Sequence, residues 1–119
     1  MEEFEGIDLF DCFIESWKVN ENEFEFKFDA SIWPKSEYYE KPKVNEYTCY
    51  KKSTLTFSKF SEITGLKSMS EVTPSIDATG KKDYGNFEYF AKLSHGFEIQ
   101  GEFGKVLITG GNFVFTVNA

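Results

Sequence analysis

The chain has no arginine, and it is poor in the residues around which many catalytic and metal sites are built. Its 119 residues include one histidine, two cysteines and three prolines. Without arginine the chain lacks the planar fork that binds phosphate, carboxylate or guanine through two parallel hydrogen bonds. Together with a net charge of −7 at pH 7, this absence argues against direct binding of nucleic acid.

The scarcity of histidine and cysteine also limits metal sites and catalysis. Zinc sites need clustered ligands, and here Cys12 and Cys49 are far apart, with His95 as the only histidine. His95 lies in a Ser-His-Gly-Phe segment that is typical of a solvent-exposed turn. Nucleophile-elbow, Walker and dinucleotide-binding signatures are all missing. We therefore expect no catalytic residue, no metal and no cofactor, and we do not expect an enzyme.

The two cysteines and the N-terminus bear on the compartment. In a cytosolic chain, two isolated cysteines are typical of small buried hydrophobic residues, a reading we favour over a disulfide or a reactive thiol. No run of eighteen apolar residues predicts a transmembrane helix. The first residues are acidic, whereas a signal peptide begins with positive charge. These features predict a cytoplasmic protein without a membrane partner, unless a leader has been removed.

Negative charge is concentrated at the start of the chain. Residues 1–25 carry nine acids and one base, Lys18, for a net charge of −8. Residues 26–119 carry eleven acids and twelve lysines, which gives +1. A localised field of this kind steers partners of opposite charge. The pattern indicates a basic partner, although a solvated strand face that aids solubility would have the same composition.

Aromatic residues dominate the apolar content, with fourteen Phe, six Tyr and two Trp. Such residues favour strands, and the length suits a single domain, 1–119. The clearest strand runs from Phe24 to Trp33, where aromatic and aliphatic residues alternate with polar ones and Pro34 ends the pattern. One face of that strand is therefore expected to be buried and the other to face solvent.

Two segments fit either a strand or a helix. Residues 8–19 have a helical apolar stripe with Asp8 as N-cap, but a strand from about Cys12 would form a hairpin with the next strand, and we favour that reading. Residues 86–94 are equally ambiguous, and we again favour a strand. Long surface loops are expected at 34–45 and 67–85, because both are rich in polar residues and contain proline.

The remaining segments complete an all-β pattern. Glu46 to Phe60 predicts a strand with Tyr47 among its buried residues and a bulge or bend at Lys51-Lys52, and Ser61 to Gly65 fits one helical turn. Gly110-Gly111 predicts a tight hairpin turn. The fold is therefore expected to be mainly β, a small antiparallel β-sandwich or partly closed barrel with about six or seven strands and little helix.

An aromatic loop follows the clearest strand and has two interpretations of equal weight. Trp33, Tyr38 and Tyr39 lie near two prolines. Tyr and Trp are common interface hot spots because they bury a large area at low entropic cost. The same rings would also serve to cover an open end of the β core.

The layout resembles a group of small bacterial β-proteins that includes immunity proteins of polymorphic toxin systems. The resemblance lies in residues 11–19, the alternating strand after them, Leu55-Thr56-Phe57, and the run from 97 to 117. Phe10 stands where that group often has histidine, so no role of that histidine carries over. The resemblance implies a cytoplasmic, non-catalytic protein that binds and blocks a basic toxin domain.

Two functions follow as hypotheses, and the oligomeric state stays open. The first is a protein-binding domain of the immunity type. The alternative is a β-barrel carrier of a small apolar ligand, lined by Phe24, Phe26, Phe28, Phe113 and Phe115. The candidate partner-binding residues of the first hypothesis are Asp11, Glu15, Glu21, Glu23, Glu25, Trp33, Tyr38 and Tyr39.

Overall fold

The computed structural model describes residues 2–118, and nearly all of its regular structure is strand. Two single 3₁₀ turns lie at Glu2–Phe4 and Met69–Glu71. The strands are β1 (Ile7–Val19), β2 (Glu23–Ile32), β3 (Cys49–Leu66), β4 (Ser75–Ile76), β5 (Lys82–Asp83), β6 (Phe87–Leu93), β7 (Gly96–Gly101) and β8 (Gly104–Val117).

Six of these strands form one antiparallel sheet in the order β1-β2-β3-β8-β7-β6, and the sheet curves into a half-barrel. The backbone just before β6 returns to β1: the Ile14 amide donates to the Gly85 carbonyl at 2.8 Å, and the Tyr84 amide donates to the Ile14 carbonyl at 2.9 Å. The short strands β4 and β5 form a separate hairpin. The prediction of a mainly β, antiparallel fold with little helix is confirmed.

The inner, concave face of the sheet holds an aromatic core. Phe24, Phe26 and Phe28 of β2 are fully buried, as their alternation predicts. Phe26 has its ring centroid 5.0 Å from that of Phe87 and 4.8 Å from that of Phe103, in edge-to-face geometry. Such pairs are favourable because the positive ring edge meets the negative ring face. The core therefore joins strands that are distant in the sheet order.

Both ambiguous segments are strands. Residues 7–19 form β1 and residues 87–93 form β6, which agrees with the favoured readings. β1 pairs with β2 across the turn at 20–22, and register shifts occur between Asp8 and Phe13 and between Ile14 and Ser16. These irregularities interrupt the alternation of apolar and polar residues in β1, which explains why the sequence pattern also fits a helix.

The predicted tight turn at Gly110-Gly111 is wrong. β8 runs without a break from 104 to 117, and it stays paired with β3 on both sides of the glycines. Gly110 and Gly111 do have positive φ, 74° and 81°, but the chain bends there and continues. A Cβ on Gly111 would lie 2.4 Å from the Ser58 carbonyl oxygen, so the close approach of β3 also requires glycine.

Strand β3 differs from expectation in three places. Residues 61–65 continue the strand and form no helical turn, because they pair with β8. The pairing of β2 with β3 is regular through Lys51 and Lys52, so no bulge lies there. Tyr47 lies in the loop before the strand and is 78% exposed, so it is not one of the buried residues of the strand.

The ring of Phe4 packs the N-terminal turn against the rest of the molecule. Phe4 lies with its ring centroid 5.3 Å from Phe90, 5.6 Å from Phe113 and 5.2 Å from Phe115. The Gly6 carbonyl accepts a hydrogen bond from the Trp33 amide at 2.8 Å. These contacts place the first acidic residues beside the loop that follows β2.

Candidate functional site

A groove of about 900 Å³ lies on the outer side of the sheet, between two long connections. One is the segment 33–48 that joins β2 to β3. The other is the hairpin of residues 75–83, which comprises β4, β5 and their turn and is called the flap below. Each contributes to the walls, and β1, β2 and β3 contribute Phe13, Asp29, Tyr50, Lys51 and Lys52.

Asp29 is the central charged group of this groove. It faces outward from β2, yet only 11% of its side chain is exposed. Lys52 Nζ lies 3.2 Å from Asp29 Oδ1, and Lys81 of the flap donates a hydrogen bond to Asp29 Oδ2. Glu15 Oε1 is 3.7 Å from Lys52 Nζ. A carboxylate this far removed from water needs cationic partners, and here it has two.

A second polar network lies next to the groove and is centred on Asp11. Asp11 Oδ2 accepts hydrogen bonds from Ser31 Oγ at 2.9 Å and from the Tyr50 hydroxyl at 3.0 Å. The Ser31 oxygen in turn accepts from Trp33 Nε1 at 3.0 Å. Burial, and then the hydrogen bond to Asp11, raise the pKa of Tyr50. The network holds Trp33 and Tyr50 by their polar atoms; Tyr50 lines the groove, and Trp33 packs against Tyr47, which also lines it.

Aromatic pairs accompany these polar groups. The ring centroids of Phe13 and Tyr50 are 5.1 Å apart, and those of Trp33 and Tyr47 are 6.0 Å apart. Phe13, Trp33 and Tyr47 are all exposed to solvent. Tyr and Trp are enriched at protein interfaces relative to the rest of the surface.

The acidic residues at the start of the chain form a separate surface. Glu2, Glu3 and Glu5 line a depression together with Lys35, Glu37 and Tyr38. Hydrogen bonding to Glu37 raises the pKa of the Tyr38 hydroxyl. We call this set of four glutamates and Tyr38 the N-terminal acidic surface. It combines negative charge with one exposed aromatic ring.

The other acidic residues of the first 25 lie elsewhere. Glu21 and Glu23 are exposed at the turn between β1 and β2, and Glu25 Oε1 is 3.7 Å from Lys18 Nζ. We call these three glutamates the hairpin acidic surface. Because β2 rises about 3.3 Å per residue, its two ends are roughly 30 Å apart, and the two acidic surfaces lie toward opposite ends.

The candidate residues therefore separate into four places. Asp11, Glu15 and Trp33 lie at or next to the groove, and Tyr38 belongs to the N-terminal acidic surface. Tyr39 is partly buried and packs against the hydrophobic core. Glu21, Glu23 and Glu25 are remote from the other candidates.

Sequence reasoning missed the residues that organise the groove, Asp29, Lys52 and Lys81. Asp29 was predicted to face outward, but its burial depends on a loop 52 residues further along the chain. The one available signal was the outward-facing aspartate itself, opposite a lysine in the next strand. Tyr50 could not be identified from the sequence either, because its hydrogen bond to Asp11 depends on the fold.

Both cysteines are free and buried. Burial raises the pKa of the Cys12 thiol to about 12, with further contributions from nearby carboxylates. Cys12 Sγ donates to the Asp8 carbonyl at 3.2 Å. A thiol in this state is a poor nucleophile.

Comparison of the chain with protein-family models, curated proteins and solved structures gave no match. Between residues 2 and 118, no three His, Cys, Asp or Glu side chains are grouped so that they could hold a metal ion. No helix in the same range is long and apolar enough to span a bilayer.

Proposed function

We propose that this chain is a non-catalytic protein-binding domain of the immunity type, which binds and blocks a basic toxin domain. The observation that carries the proposal is the N-terminal acidic surface. There, Glu2, Glu3, Glu5 and Glu37 line one depression with Tyr38, which is 38% exposed, and these four carboxylates outnumber Lys35, the one lysine among its lining residues. Carboxylates attract a basic partner over a distance, and an exposed tyrosine supplies contact area once the partner has docked.

The distribution of ion pairs supports a partner of positive charge. Among the acids of residues 2–25, Glu15 and Glu25 form ion pairs within the described chain, and both distances are 3.7 Å. Most of the remaining charge is therefore not neutralised locally. A field of this kind increases association rates with a basic protein, and salt screens it.

The two acidic surfaces are alternative docking sites for the same partner. A standard protein interface covers about 800 Å² on each side, so one interface need not reach both ends of β2. We favour the N-terminal acidic surface, because it has an aromatic ring beside its charges. The hairpin acidic surface has carboxylates, and one of its three is already paired with Lys18.

Matched charge reversals distinguish the two surfaces. The measurement is calorimetric titration, at several salt concentrations, with the C-terminal domain encoded by the adjacent upstream gene. Glu2→Lys/Glu3→Lys and Glu21→Lys/Glu23→Lys change the net charge equally. Glu88→Lys/Glu102→Lys is the control, because both residues are exposed and outside the acidic surfaces.

We expect Glu2→Lys/Glu3→Lys to weaken binding most and to flatten its dependence on salt. If the Glu21→Lys/Glu23→Lys variant is affected more, the hairpin acidic surface is the docking site. Equal losses for all three variants would mean that only net charge matters. Absence of binding by the unaltered protein at low salt would refute the proposal.

The carrier alternative has less support from the packing. Its proposed lining residues are in contact with other rings: Phe24 and Phe26 have centroids 4.7 Å apart, and those of Phe28 and Phe115 are 6.0 Å apart. An apolar ligand would have to separate these rings. Extraction of the purified protein followed by mass spectrometry tests this alternative directly.

A further inference from the structure

The flap is an exposed hairpin that contributes nothing to the hydrophobic core. Residues 75–82 are all exposed, including Ile76 at 65%. The flap is ordered mainly from within: Asp77 Oδ1 accepts hydrogen bonds from the amides of Thr79 and Lys81, both at 2.9 Å. Its shape is therefore fixed, but its attachment to the sheet does not come from apolar burial.

Lys81 provides a side-chain attachment of the flap to the sheet, beyond the backbone hydrogen bonds that join Tyr84 and Gly85 to Ile14 just after the flap. Its side chain reaches past β1 to donate a hydrogen bond to Asp29 on β2. This hydrogen bond raises the pKa of Lys81, against a smaller opposing effect of desolvation. The 43% exposure of the Lys81 side chain contrasts with 11% for Asp29. The carboxylate is thus the fixed part of the pair, and the lysine is the part that can leave.

The groove is lined by as many carboxylates as lysines, and within it the immediate surroundings of the buried Asp29 offer a place for a basic side chain. The carboxylate accepts charged hydrogen bonds, and the neighbouring Phe13 and Tyr50 rings in the groove offer faces for the stem or the guanidinium of a basic residue. Lys52 is anchored on β3 and pairs with Asp29 from the other side. The position now filled by Lys81 is the one at which an external cation can enter from the groove.

We propose that Lys81 is a built-in occupant of a recognition site for a basic side chain, and that a lysine or arginine of the partner replaces it on Asp29 when the flap lifts. This inference rests on the proposed function to the extent that the function makes the partner basic. It adds a specific site, in a groove separate from the acidic surfaces. The Lys81–Asp29 contact is then autoinhibitory.

A competition of this kind has a measurable signature. While Lys81 occupies Asp29, the binding-competent fraction of the protein is reduced, and the apparent affinity for a competing cation falls by the same factor. Removal of the Lys81 ammonium should therefore tighten binding of the competing cation, although the alanine adds no contact to that cation. Removal of a lysine that acts only as a nearby positive charge should change the affinity less.

The test uses N-acetyl-arginine amide as the probe, titrated into the labelled full chain and followed by amide chemical shifts in β2 and β3. Lys81→Ala is compared with Lys82→Ala, its matched control. Lys82 is the next residue of the flap, is exposed, lines the same groove and forms no ion pair within residues 2–118. Asp29→Asn removes the proposed acceptor charge.

We expect Lys81→Ala to bind the probe several-fold more tightly than the unaltered chain, and Lys82→Ala to change affinity little. Hydrogen exchange at the flap amides of Gly80 and Asp77, which bond within the turn, should accelerate in Lys81→Ala alone. Asp29→Asn should abolish the shifts at β2. Its spectrum without the probe shows whether it has folded, and the Lys81→Ala comparison remains decisive if it has not.

Equal effects of Lys81→Ala and Lys82→Ala would overturn the inference, because a general charge effect would explain both. Failure of Lys81→Ala to bind the probe more tightly would also overturn it. The probe experiment does not involve the toxin domain. A negative result with that domain would therefore count against the proposed function, whereas a negative result with the probe would count against the Asp29 site alone.

Discussion

The inner and outer faces of β2 are held by different kinds of contact. On the inner face, Phe26 has ring contacts with Trp17, Phe24, Phe87 and Phe103, which come from several parts of the chain. On the outer face, Asp29 depends on two lysine ammonium groups. The loss of one ring contact inside leaves several others, whereas Asp29 without Lys81 keeps a single lysine partner, Lys52. The inner face is therefore expected to contribute more to stability, and the outer face determines which groups the surface presents.

The largest expected effect is on the inner face. Phe26→Ala should lower the free energy of unfolding by about 3–5 kcal/mol, because it removes a fully buried ring and leaves a cavity. Urea denaturation measures the loss. The matched control is Lys27→Ala, the adjacent exposed residue on the outer face, which should change stability by about 0.5 kcal/mol or less. Similar losses for the two variants would contradict the comparison.

An intermediate effect is expected at the hydrogen bonds of the outer face. Ser31→Ala removes the donor to Asp11 and the acceptor of Trp33 Nε1, at a position with no solvent exposure. We expect a loss of about 1–3 kcal/mol, together with a red shift of tryptophan fluorescence as Trp33 becomes free to move. Thermal unfolding and emission spectra measure both.

Ser58→Ala is the control for that prediction. Ser58 also bonds across strands, to Asn112 Oδ1 at 3.0 Å, but at an exposed position where water can replace the partner. The Ser58→Ala substitution should lower the free energy of unfolding by less than about 0.5 kcal/mol. If Ser31→Ala costs no more than Ser58→Ala, burial does not strengthen the outer network.

The smallest effect concerns alkaline pH and the buried thiol of β1. The pKa of Cys12 is raised in the folded chain from 9.0 to about 12. Its contribution to stability is therefore fully present below pH 9 and is lost as the pH rises from 9 toward 12, because the unfolded chain loses the proton first. By pH 10 the loss should be about 1 kcal/mol.

Cys12→Ala isolates this contribution. The raised pKa values of Tyr50 and Lys81 act in the same direction, so some loss of stability should persist in the variant. Chemical denaturation between pH 8 and 10 should show a shallower decline for Cys12→Ala than for the unaltered chain. Identical slopes would indicate that the thiol is not shielded in the folded state.

The sequence was sufficient to predict what depends on neighbours along the chain. The alternation of β2 predicts its buried face, since side chains of a strand point to opposite sides in turn. The sequence was insufficient at Gly110-Gly111. The two glycines correctly indicate positive φ, but whether the chain turns back or only bends there depends on whether the partner strand continues. β3 does continue, so the glycines produce a bend in β8 instead of a turn.

The candidate site was less predictable than the fold, for a related reason. Asp29 and Lys81 are 52 positions apart, and no local pattern links them. The acidic residues near the start of the chain look like one surface in the sequence. A strand and a turn separate them in space, and only Glu2, Glu3 and Glu5 meet Tyr38. Charge patterns indicate the sign of a partner but do not indicate where it binds.

The return of the chain at Gly85 to Ile14 has a consequence for self-association. Exposed edges of sheets act as templates for strands of other copies, and a chain with fourteen phenylalanines would be hazardous if such edges were long and flat. Here β1 is irregular at two points, and the 84–85 backbone occupies part of its edge. The opposite edge, β6, is only seven residues long and carries Glu88 and Lys92. The half-barrel thus limits edge-to-edge aggregation without closing completely.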